Sequence, residues 1–176
     1  MSISTESLRK LGSVFLFVNG FIFIFYALVV PVFVHGVHWL ITLVAILFLV
    51  ALPAIYHSLI RVRKGVAKVV AVLFGFAMIM IVVSDLLFVL SILSALSHEL
   101  AYALGNGVFV FCLLAIGVLA LKGVFSNWFG YLSVLTAIIG LSTYIPGGSG
   151  LLSIISLLLL AAWSFALGFN ILRLAA

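Results

Sequence analysis

At 176 residues the chain is one domain long, but 68% of it is hydrophobic and only 6% charged. Soluble domains carry roughly a quarter of their residues as charges, so a water-facing surface is excluded and lipid is the expected solvent. The net charge of +5 comes from Lys and Arg in helix-flanking loops, not from a patch that could track phosphates, so nucleic acid is not an expected partner. A single cysteine, Cys112, sits in an apolar stretch; it excludes an intrachain disulfide or a multi-cysteine metal site and reads as a small buried hydrophobe.

The order of apolar runs predicts an all-α protein: one transmembrane domain, residues 1–176, built as a bundle of six transmembrane helices with short loops. The first helix spans about 12–34, behind a polar start that carries Arg9 and Lys10. Its apolar run is longer than a signal-peptide core of about 7–15 residues, so it is expected to be retained. Ser13, Gly20 and Ala27 recur every seven residues as a small-residue seam, and Pro31 weakens the far end. The second helix covers about 38–60, opened by the interfacial Trp39; Pro53 inside it predicts a kink. The third covers about 66–93, the fourth about 98–121, the fifth about 126–144 and the sixth about 151–172. Ser126, Ser133, Thr136, Gly140 and Thr143 give the fifth helix a small, weakly polar face suited to close packing. The run Pro146 to Gly150 is the strongest breaker in the chain.

Orientation follows from the bases. If the helices alternate from an inside N-terminus, Arg9, Lys10, Arg61, Arg63, Lys64, Lys68, Lys122 and Arg173 all fall on the cytoplasmic side and none outside. Both termini are then cytoplasmic, and the expected location is a prokaryotic cytoplasmic membrane, crossed several times. His35, His38, His98 and Glu99 fall at the outer face, and His57 at the inner one. No repeat of three helices, of the kind many transporters carry, is visible in the sequence.

Asp85 is the only acid inside an apolar run. A carboxylate in hydrocarbon costs roughly 2.5–3.5 kcal/mol on insertion scales, so it needs a partner or a proton. Its own helix offers Met78, Val82, Val89 and Ile92 on that face, so the partner must come from elsewhere. The fourth helix presents Tyr102 and Asn106 at matching depth, with His98 one turn above. The expectation is one polar pocket of Asp85, Tyr102, Asn106 and His98 open to the outer face. It reads equally as a proton or cation site and as a structural hydrogen bond between helices. A second candidate is a Zn²⁺ or Cu²⁺ site of His35, His38, His98 and Glu99, or a haem between two of the histidines; interfacial histidines without a ligand are the plainer reading. Trp163 either lines a pocket or fills a helix interface, and Asn19, Asn106 and Asn170 suit helix-to-helix hydrogen bonding. No nucleophile with a base, no phosphate-cradling glycine loop and no HExxH motif is present, so no catalytic residue is expected.

The segment Asn127-Trp128-Phe129-Gly130-Tyr131-Leu132 before a small-residue helix resembles uncharacterised prokaryotic polytopic membrane proteins of the domain-of-unknown-function kind. So do Leu52-Pro53-Ala54-Ile55-Tyr56 before a basic turn and the stretch Trp163 to Gly168. The resemblance implies a six-helix integral membrane protein and brings no activity, cofactor or catalytic residue with it. Size and helix count are also similar to substrate-binding subunits of vitamin-uptake transporters, whose pocket would need more polar lining and a longer outer loop. The function expected from the sequence is a non-catalytic accessory or assembly subunit, acting through helix contacts with other membrane subunits or with itself. The alternatives are a small-solute or ion transporter using Asp85 and, more weakly, a metal- or haem-binding protein using His35, His38 and His98.

Overall fold

In a bilayer no water satisfies backbone N–H and C=O groups, so an apolar chain closes its hydrogen bonds within helices. The structure, a computed structural model, describes residues 4–29, 38–142 and 150–175; the side chains of His38 and Val124 lie outside the described set. The helices are α1 (Thr5–Val29), α2 (His38–Leu59), α3 (Lys64–Val89), α4 (Ala95–Leu119), α5 (Asn127–Ser142) and α6 (Gly150–Arg173), with a π-type turn, Ala120–Val124, after α4. α1, α2, α3, α6 and α4 with its following turn are long and apolar enough to cross a membrane. α5, at 16 described residues, spans about 24 Å, short of the ~20 residues a membrane helix needs. The chain is a helical membrane bundle.

Each helix packs on the next, and α6 returns to α1 across the most extensive interface of all. The result is a ring of alternating helices. Phe48 stands at its centre, with ring centroids of Phe74, Phe109 and Trp163 at 5.5, 5.7 and 6.1 Å. Trp163 is fully buried; its indole stacks on Phe129, and its Nε1 donates to Ser133 Oγ at 2.8 Å. It fills a helix interface.

Small residues set the closest approaches. A Cβ on Gly12 would fall well inside contact distance of the Ala54 Cβ, which cannot move without α2. On the α4–α5 seam, a Cβ on Gly117 would lie 3.0 Å from the Gly130 carbonyl oxygen. The small face expected on α5 does face the bundle: Gly130, Ser133, Thr136, Ala137 and Gly140 are buried, while Thr143 lies outside the described residues. Gly12→Ala should therefore lower stability in detergent by about 3 kcal/mol, the upper range for overpacking. Gly65→Ala, where an added Cβ meets nothing within 4 Å, should be neutral or slightly stabilising. Thermal unfolding of the two variants side by side checks this; equal shifts would mean that α1 and α2 separate freely at Gly12.

Several helix ends depart from the expected ones. α1 starts at Thr5 instead of about 12, because Ser4 Oγ accepts from the Ser7 N–H at 3.1 Å and caps the polar turn. α2 runs helical through Pro53. The weakening expected at Pro31 and the breaker at 146–149 lie outside the described residues. α3 stops at Val89 rather than 93, and the reason is local. The Ser91 N–H donates to the Phe88 carbonyl and the Ile92 N–H to that of Leu87, both at 2.9 Å, with Ser91 at φ 58°. This is a Schellman ending with serine where glycine is usual. Ser94 then caps α4, its Oγ accepting from the Ser97 N–H, so α4 begins three residues before the expected 98. A non-glycine residue in the left-handed region costs roughly 1–2 kcal/mol, so Ser91→Gly should raise stability by about 1 kcal/mol. A fall in melting temperature would show that the serine hydroxyl outweighs the backbone strain.

Candidate functional site

The two ends of the bundle differ in chemistry. At one end lie the starts of α1, α3 and α5 and the ends of α2, α4 and α6, with all eight Lys and Arg residues. Arg9, 7% exposed, donates from Nη1 to the Leu174 carbonyl at 3.0 Å and from Nη2 to the His57 carbonyl at 3.3 Å. One guanidinium thus ties the C-terminal ends of α2 and α6 to α1, where the helix dipoles favour a cation. Asn170 does the same for α5: its Oδ1 accepts from Ser126 N and Oγ at 3.3 and 3.2 Å. These bonds tie the basic ends of α1, α2, α5 and α6 together.

The opposite end carries the acids Asp85 and Glu99 and no Lys or Arg. Asp85, one turn before the end of α3, is 6% exposed. Its Oδ1 lies 2.7 Å from His98 Nε2 on α4, and its Oδ2 accepts from the Thr42 hydroxyl on α2. A carboxylate only accepts, so the proton of the first bond sits on His98 Nε2 when Asp85 is ionised. The His98 ring stacks on Phe88, centroids 4.5 Å apart, and the Tyr102 ring follows at 6.0 Å. Three helices therefore meet on one carboxylate. Such a cluster can hold a proton between carboxylate and imidazole.

Asp85 and His98 are thus brought into direct contact, and the physical reason lies in the early turn. Because α3 ends at Val89 and α4 starts at Ala95, the residue of α4 level with Asp85 is His98, not Asn106 or Tyr102. Thr42 has no signal of its own in the sequence. Only its place one turn into α2, at the depth of Asp85, could have suggested it.

Tyr102 and Asn106 line a different space. A cleft of about 450 Å³ opens between α1, α2, α4, α5 and α6, with Tyr26, Tyr102, Asn106, Thr136, Ser153 and Ser156 as its polar groups. A second hollow of about 310 Å³, bounded by Tyr26, Ile41, Phe88, His98, Glu99 and Tyr102, adjoins its acidic-end side. A smaller one of about 100 Å³, walled by Phe23, Phe48, Met78 and Phe109, lies below. The three share Ile41 and Tyr102 in their walls; among the described residues, which leave out 30–37 and 143–149 at the acidic end, these neighbouring hollows make up a vestibule whose largest part is the 450 Å³ cleft. His98 belongs both to its wall and to the Asp85 cluster. Asp85 also borders a groove between α2 and α3 with Trp39, Thr42 and Leu86.

The metal candidates divide. His35 and the His38 side chain lie outside the described residues. His98 and Glu99 share the mouth of the vestibule, and His98 is engaged with Asp85. Among the described residues no three His, Cys, Asp or Glu side chains gather closely enough for a metal. Comparison with protein-family models, with curated proteins and with solved structures finds no match to this chain.

Proposed function

We propose that the protein is a multi-pass membrane protein of the small-solute binding and transport class. Its basic end and both termini lie in the cytoplasm, and its vestibule opens to the outer side of a prokaryotic cytoplasmic membrane. The orientation rests on the eight cations at one end of the bundle and the bias of such residues toward the cytoplasm. One observation carries the function: a cleft of about 450 Å³, within the size range of small-molecule sites, into which phenol, amide and hydroxyl groups from four helices converge over an aromatic floor. The mouth holds Glu99 and, beside it, the Asp85–His98 pair, with every Lys and Arg at the far end. The field therefore favours a neutral or cationic solute and disfavours an anion. In this reading Tyr26, Tyr102 and Asn106 hydrogen-bond the solute, and the Asp85 cluster carries the proton or cation that binding is linked to.

The test is what the purified protein carries. Extracted in mild detergent and then denatured, it should release a small molecule detectable by mass spectrometry. Asn106→Leu, with the same branched heavy-atom skeleton but no amide, should release much less. An accessory or assembly role in complexes of this chain with itself or with other subunits is the second reading. It takes over if no small molecule is released and partner subunits co-purify in fixed ratio.

A further inference from the structure

The basic half of the α2–α3 seam is hollow on its lipid side, away from the vestibule. A groove of about 670 Å³ runs between the two helices, walled by Leu49, Leu52, Pro53, Val72, Phe76 and Ile79. Gly75 lets α3 pack closely on α2 at the groove wall: an added Cβ would meet Leu52 Cδ2 at 3.0 Å. Only one end of the groove is polar, where Tyr56, His57 and Lys68 stand. That end is held in place, because the His57 carbonyl is the acceptor of Arg9 Nη2 and the Tyr56 and His57 rings lie 5.5 Å apart.

Polarity at one end and an apolar trough behind it is the pattern of an amphiphile, not of a soluble metabolite or a packed helix. The polar end is cationic: Lys68 is exposed at the groove, and Lys64 lies one turn before it on the same helix. It also sits at the end of the bundle where headgroups of the cytoplasmic leaflet would lie. We infer that this groove binds an anionic glycerophospholipid, its phosphate at Lys68 between the Tyr56 and His57 side chains and one acyl chain along Leu52, Gly75 and Phe76. The vestibule could be empty of any solute and this site would be unaffected.

The experiment uses the full chain in a neutral detergent, titrated with phosphatidylglycerol and with phosphatidylcholine of the same acyl chains, bound lipid being counted by native mass spectrometry. The wild type should retain phosphatidylglycerol preferentially, with one lipid bound most tightly. Lys68→Met keeps the apolar stem and removes the charge, and should weaken that lipid about fivefold, the effect of one cation near an anionic surface. Lys10→Met, at the same end but paired with Glu6 on α1, should leave it unchanged. Equal retention of the two lipids, or a preference that survives Lys68→Met, overturns the proposal. So does displacement of the bound lipid by inorganic phosphate alone, which would make this a soluble-anion site with no part for the groove.

Discussion

Arg9→Met should lower the stability of the purified protein by about 3 kcal/mol, a large effect for a residue at the edge of a membrane bundle. The guanidinium donates to the carbonyls of His57 and Leu174. Hydrogen bonds to charged groups contribute about 1.5–3 kcal/mol each, and a buried acceptor left unpaired adds its own desolvation cost. Met preserves the aliphatic stem, so the loss isolates the two bonds. Lys at the same position offers one point of charge where the structure uses a fork, and it should recover only part of the loss. Thermal unfolding of the three proteins decides the matter. If Arg9→Met and Arg9→Lys both melt with the wild type, the residue is a topology signal and nothing more.

The second large effect belongs to Asp85. Asp85→Ala leaves His98 Nε2 and the Thr42 hydroxyl without their common acceptor in a site that is almost closed. Removing one partner of a buried pair typically costs about 3–5 kcal/mol, and the start of α2 and the α3–α4 hairpin should loosen together. Asp85→Asn differs in kind. Its amide oxygen can still accept from His98, and its N–H group can donate to Thr42 Oγ1, so the fold should keep its stability to within about 1 kcal/mol. The charge is gone, however. A protein that links solute binding to a proton or cation at this cluster should then fold normally and lose uptake. Uptake at the wild-type level in Asp85→Asn would make the cluster a structural tie among three helices.

Most of the architecture is written in hydropathy, because lipid imposes one rule on every spanning segment: close the backbone bonds internally and show apolar side chains. Six apolar runs therefore give six helices in the expected order, and the cations collect at one end. Hydropathy marks where the chain is apolar, however, not where a helix stops. The Ser4 cap at the start of α1 and the serine at φ 58° after α3 are set by backbone hydrogen bonds that leave no apolar signature. The second of these decided the site. Ending α3 four residues early moved the level partner of Asp85 from Tyr102 and Asn106 up to His98, and left Tyr102 and Asn106 to line the vestibule. The need for a partner to Asp85 was legible from the cost of a lone carboxylate in hydrocarbon; the identity of Thr42 was not, since threonine is unremarkable in any apolar helix. Arg9 shows the same limit. Its sequence position explains a charge at the basic end, while its two carbonyl acceptors, 48 and 165 residues away, exist only once the ring of helices closes.

On the proposed function the vestibule reaches the outer side while the cations face the cytoplasm. In a Cys112→Ala background, single cysteines at Asn106, Lys64 and Ile138 sample the vestibule wall, the basic end and a lipid-facing position of α5. Intact cells are treated with a membrane-impermeant thiol reagent and the labelled fraction of each variant is measured. Asn106→Cys should label, and Lys64→Cys and Ile138→Cys should not. Labelling of Lys64→Cys from outside, or silence at Asn106→Cys both in intact cells and after the membrane is opened, would contradict the outward-facing vestibule and the function built on it.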